Sequence, residues 1–125
     1  MTLFEVMDIL DAKVLVGRER LNMEVKTAFS ADLLSDVLAF AKAGSLLLTG
    51  LTNPQIVRTA SILDIAAIIL VRGKIAADET LRLADELNIP MLSTRYILFE
   101  TSGRLYSRGI TGCVEKVGRD DSVSL

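Results

Sequence analysis

Two aliphatic runs without polar alternation constrain this chain most: Ser45-Leu46-Leu47-Leu48-Thr49, closed by Gly50, and residues 66–71, closed by Arg72-Gly73. A strand with one wet face alternates apolar and polar residues, whereas one covered on both faces need not. Runs this short, bounded by turn signals, therefore read as buried strands. A helical period follows each. Asn53-Pro54 opens the first helix as cap and preorganised first residue, with Ile56, Val57, Ala60 and Leu63 as its apolar stripe. The second spans residues 78–87, its Asp78 and Glu79 at the positive N-terminal end.

The flanks extend the same alternation. Leu3, Val6, Met7 and Leu10 form a helical face capped by Thr2, and Lys13-Val14-Leu15-Val16-Gly17 is a β-branched strand closed by glycine. Residues 25–30 read as another strand, with Val25, Thr27 and Phe29 on one side. A helix to about residue 43 follows, capped by Ser30 or Asp32, with Leu33, Leu34, Val37, Leu38 and Ala41 inward and Gly44 stopping it. Met91-Leu92-Ser93 is a last short strand. A final helix from about residue 95 or 96 to 107 turns Tyr96, Phe99 and Leu105 to the core. Strand and helix in alternation give one α/β domain of three layers with a mostly parallel sheet, over residues 1–113. Residues 114–125 lack periodicity and read as a loose C-terminal tail.

Composition then removes function classes. The 125 residues include no histidine, no tryptophan and one cysteine, Cys113. No imidazole base, Ser/His or Cys/His pair, His-ligated metal, intrachain disulfide or two-cysteine zinc site can form. The expectation is no catalytic residue, no metal and no cofactor. A net charge of −2 with few aromatics argues against nucleic acid as a partner. The most apolar stretch, residues 62–71, is broken by Asp64 and is half the roughly 20 residues a membrane helix needs. With Glu5, Asp8 and Asp11 near the start and no basic export segment, the chain reads as cytoplasmic, with no membrane partner.

In an open α/β sheet, ligands bind beyond the carboxyl ends of the parallel strands. That rule selects Thr49, Gly50, Asn53, Arg72, Gly73, Lys74, Ser93 and Thr94 as ligand-binding, with Ser30 and Asp32 as secondary candidates. Two cations beside helix N-termini favour an anionic ligand, a phosphate or carboxylate. Plainer readings stand beside this one: a strand end and turn glycine at Thr49-Gly50, a helix cap at Asn53, solvated loop charges at Arg72 and Lys74. Asp32 and Asp36, four apart, read as capping and dipole compensation; as a general base for a phosphoryl or acyl transferase, only they remain on this edge, since Asp64 falls at the far end of its helix.

Ala12 to Gly17, Glu24-Val25-Lys26 leading to Ser30-Ala31-Asp32-Leu33-Leu34-Ser35-Asp36, Leu48-Thr49-Gly50, and the run from Ala84 to Thr94 together resemble the DRTGG domain. That module occurs beside CBS domains in some pyrophosphatases, in phosphotransacetylases and free-standing, and is similar to the N-terminal domain of HPr kinase/phosphorylase. The resemblance implies a three-layer α/β fold and a part in regulation or assembly rather than catalysis. Where the family name places Asp-Arg, this chain has Leu51-Thr52-Asn53-Pro54, and where it places Thr-Gly-Gly it has Arg72-Gly73-Lys74, which resembles the free-standing branch. The exchange makes a neutral glycine turn basic.

The expectation is therefore a non-catalytic regulatory or ligand-sensing module that acts through self-association, as a homodimer, and through an unknown protein partner. A chain this short with half its residues apolar leaves some of them exposed unless a second copy covers them. The alternative is a binding module for a phosphorylated metabolite or nucleotide at the carboxyl edge of the sheet.

Overall fold

The computed structural model describes residues 1–118, so residues 119–125 of the expected tail lie outside the described residues. The chain runs α1 (Leu3–Ile9), β1 (Lys13–Val16), a 3-10 turn (Arg18–Arg20), β2 (Thr27–Ser30), α2 (Leu34–Phe40), β3 (Leu46–Thr49), α3 (Pro54–Ile62), β4 (Ala67–Leu70), α4 (Asp78–Glu86), β5 (Met91–Ser93), α5 (Leu98–Tyr106) and β6 (Thr111–Gly112). One sheet orders the strands β1-β5-β4-β3-β2-β6. Every neighbouring pair is parallel except β1 and β5, whose register sets Lys13 opposite Ser93.

The unbroken strands serve two cores at once. Along β3 and β4, Leu47, Ile68 and Leu70 pack with Val37 of α2, Ile56, Val57 and Ala60 of α3 and Ala84 of α4. The alternate residues Leu46, Leu48, Ala67 and Ile69 pack with Leu3, Val6 and Leu10 of α1 and Leu105 of α5. Successive side chains on a strand point to opposite faces, so both faces must be apolar when helices cover both. Each fully buried Leu or Ile here contributes about 1.5–3 kcal/mol relative to exposure. No helix among the described residues is long and apolar enough to cross a membrane.

Local signals place several element ends. Thr2 and Glu5 form a reciprocal capping box on α1, and Asn53 Oδ1 accepts the Ile56 N–H at the start of α3, where Pro54 takes the first position. Gly17 ends β1 with φ +86°, and a Cβ there would stand 2.8 Å from the Pro90 Cα.

Tertiary contacts overrule four local expectations. β2 begins at Thr27, and Val25 lies outside it; Val25 packs with α1 whereas Phe29 packs on the other core, so the two do not share a side. α2 ends at Phe40 and has Leu33 as its N-cap, without any side-chain cap from Ser30 or Asp32. Leu33 and Leu38 are exposed, because Val37 sets the inward phase of so short a helix, with Leu34 and Ala41 beside it on the core. α5 begins at Leu98 rather than at residue 95 or 96. Its buried Thr101 and Leu105, four apart, set the phase, and Phe99 points outward at 83% exposure, whereas Leu98, and Tyr96 just before the helix, pack inward.

Candidate functional site

β2, β3, β4 and β5 are adjacent and parallel, so their carboxyl ends form one continuous edge. Asp32 follows β2, Gly50 follows β3, Arg72 follows β4, and Thr94 follows β5. The first three meet. The Asp32 carboxylate accepts the Gly50 N–H at 2.6 Å and the Thr49 hydroxyl at 3.4 Å through Oδ1, while Oδ2 pairs with Arg72 Nη1 at 3.1 Å. The Arg72 guanidinium lies across the Cα of Gly50, where a Cβ would come within 2.7 Å of Cζ.

Arg72 is held there by its backbone. Its φ is +61°, a left-handed conformation that L residues rarely adopt, and Gly73 follows at +69°. The Arg72 N–H donates to the Tyr96 carbonyl at 2.9 Å and the Gly73 N–H to the Thr94 carbonyl at 2.8 Å. The segment after β5 thus fastens the turn after β4. Strain of this kind persists only where surrounding structure enforces it, and it concentrates at clamps and sites.

The Gly50 N–H, with Arg72 beside it, pulls the Asp32 pKa below the ordinary aspartate value. A carboxylate so stabilised, with both oxygens engaged, is a poor proton acceptor, since an effective general base titrates near the working pH. Its chemistry is that of a bound anion. Gly50 N–H, the Thr49 hydroxyl and the Arg72 guanidinium are, taken together, an anion receptor with a carboxylate in it.

The other expected residues divide. The Ser93 hydroxyl donates to the Lys74 carbonyl at 2.6 Å, and the Thr94 hydroxyl donates to the Leu10 carbonyl at 2.7 Å, so both serve as internal fasteners. Asn53 faces the same edge and caps α3. Ser30 shares a 2.7 Å hydrogen bond with Ser102 of α5. Lys74 is exposed next to the Arg72-Gly73 turn. Asp64 sits at the opposite edge, in a depression with Gly44 and Asn88. The described residues bring no three metal-ligating side chains together.

Antiparallel β1 adds residues that strand-end reasoning did not select. Its first residue, Lys13, lies beside Ser93, and a depression of about 410 Å³ there is lined by Asp11, Lys13, Gly73, Ile75, Ser93 and Arg95. Lys13 and Arg95 carry no acidic partner within 4.0 Å among the described residues. The residues themselves are plain in the sequence; the direction of β1 and its neighbour are not.

A family model described as the DRTGG domain matches residues 5–107. The chain is 33% identical over 107 residues to "Uncharacterized protein YtoI" of Bacillus subtilis (strain 168), a match that covers 84% of this chain and 24% of that protein. It thus spans about a quarter of the length of this curated relative. Among solved structures, the CBS and DRTGG domains of the regulatory region of Clostridium perfringens pyrophosphatase, complexed with the activator diadenosine tetraphosphate, superpose with a TM-score of 0.69 at 22% identity. That match covers 83% of this chain and 45% of the other, and shows a shared fold.

Proposed function

This chain belongs to the DRTGG domain family, and we propose that it is a non-catalytic regulatory module that senses a phosphorylated or nucleotide ligand at the carboxyl edge of its sheet and acts through self-association and partner proteins. One observation carries the ligand reading: Gly50, Thr49 and Arg72 converge on an anion that happens to be Asp32. Lys74 follows the Arg72-Gly73 turn, and Lys13 and Arg95 line the depression on the other side of Gly73, all without an acidic partner within 4.0 Å among the described residues. Positive charge along this edge suits a multiply charged phosphate better than a single carboxylate. The pyrophosphatase regulatory region of like fold, with its dinucleotide activator, supports this class of ligand by analogy.

Self-association draws on α5. Phe99 and Tyr106, seven residues apart on one side of that helix, are 83% and 69% exposed, and the Gly103 between them has nothing within 4 Å of a would-be Cβ. A flat apolar strip of this kind suits a second copy.

Thermal-shift screening with nucleotides and phosphorylated metabolites tests the ligand reading, since a ligand at 100 times its Kd adds about 2.7 kcal/mol. A shift that disappears in Arg72→Ala/Lys74→Ala is expected. A panel without any shift, or a shift that survives the double variant, removes the site.

A further inference from the structure

Resting on the carboxyl-edge reading above, we propose that Asp32 is a built-in occupant of the anion receptor, that a ligand phosphate exchanges with it on Gly50 and Arg72, and that this exchange releases α2. The Asp32 carboxylate bridges the ends of β3 and β4, touching the Gly50 N–H at 2.6 Å and Arg72 Nη1 at 3.1 Å. Both members of the ion pair are about two-fifths exposed. An exposed pair of this type is weak and is held mainly by proximity, so a dianion brought by diffusion can replace it. Lys74 beside the receptor adds attraction for a phosphate that Asp32, with one charge, does not use.

The receptor is coupled to α2 because Asp32 lies two residues before that helix. α2 is weakly held otherwise: it has seven residues, no side-chain cap, and Val37 as its only fully buried side chain. A helix of this length has no stability of its own and depends on its tertiary ties. Two hydrogen-bonded ties hold its entry, the Ala31 N–H on the Leu48 carbonyl and Asp32 on Gly50 and Arg72, beside the partial packing of Ala31 and Leu34 on the core. Breaking the second loosens the segment that exposes Leu33 and Leu38. Ligand binding at the sheet edge is thereby converted into a change at a surface a partner can read.

The test uses inorganic pyrophosphate as probe, with calorimetric titration and amide hydrogen exchange over residues 33–40, on the whole chain. Asp32→Asn keeps shape and an acceptor but removes the charge, so it should bind pyrophosphate about three to ten times more tightly than wild type. Arg72→Ala should abolish binding. In wild type, exchange over residues 33–40 should accelerate when pyrophosphate is added, and in Asp32→Ala it should be fast without it. Equal affinity of wild type and Asp32→Asn, with Arg72→Ala still inactive, overturns the displacement and leaves the edge site standing. Binding that ignores Arg72→Ala, or no binding to any of the proteins, removes the edge site and the displacement together. Unchanged or slower exchange in liganded wild type overturns the coupling to α2, and that readout holds even if neither Asp32 variant folds.

Discussion

The guanidinium of Arg72 covers the Cα of Gly50 so closely that no other residue could occupy position 50 without moving it. Two turns, after adjacent parallel strands, are thereby interlocked, with Asp32 of a third closing the arrangement at 3.1 Å.

Gly50→Ala tests the interlock. The new methyl meets the far end of a flexible side chain, so the stability loss should stay under about 1 kcal/mol. Pyrophosphate binding should fall as far as in Arg72→Ala, because the guanidinium must leave its place. Thermal melting and calorimetry on the same preparation separate the two effects; normal binding would show that Arg72 need not lie over Gly50.

Gly17→Ala makes the opposite case. The added Cβ would stand 2.8 Å from the Cα of Pro90, which is backbone, at a φ of +86° that alanine resists. A loss of about 2–4 kcal/mol is expected by denaturant unfolding.

The doubly covered sheet separates Leu47 from Phe99. Leu47 is fully buried on the central β3, and Leu47→Ala should cost about 2–5 kcal/mol. Phe99→Ser, on the solvent side of α5, should change stability by less than about 0.5 kcal/mol. In light scattering the wild type should have twice the 13.6 kDa chain mass and Phe99→Ser/Tyr106→Ser the chain mass alone. A wild type that is monomeric at micromolar concentration would refute self-association.

Acid should weaken the Asp32 tie. The Gly50 N–H and Arg72 lower its folded pKa below the unfolded value. Its contribution to stability is therefore complete above the unfolded aspartate pKa of about 3.9 and is lost as pH falls through the lower folded value. The Tm advantage of wild type over Asp32→Asn, measured from about pH 6 down to about pH 2, should be constant at first and shrink below about pH 4. Glu5, lowered likewise by the Thr2 backbone N–H, is common to both proteins and cancels in the difference. A difference independent of pH would mean that the carboxylate charge adds nothing.

Residues 46–48 and 67–70 announce the three-layer α/β fold by themselves, since only a strand covered on both sides can be aliphatic at every position. Thr2, Asn53 and Pro54 likewise mark their helix starts, because capping is settled within three residues of chain. Phe99 and Asp32 could not be read this way. The outward turn of Phe99 depends on which neighbours in α5 meet the sheet, and Asp32 forsakes the local cap of α2 because two partners from other strands offer it more. The adjacency of residues 32, 50 and 72, and the antiparallel β1 that carries Lys13 to the same edge, follow from strand order and direction. Side-chain period and capping are local properties of the chain, whereas strand order joins residues 18 to 40 positions and more apart, and only packing decides it.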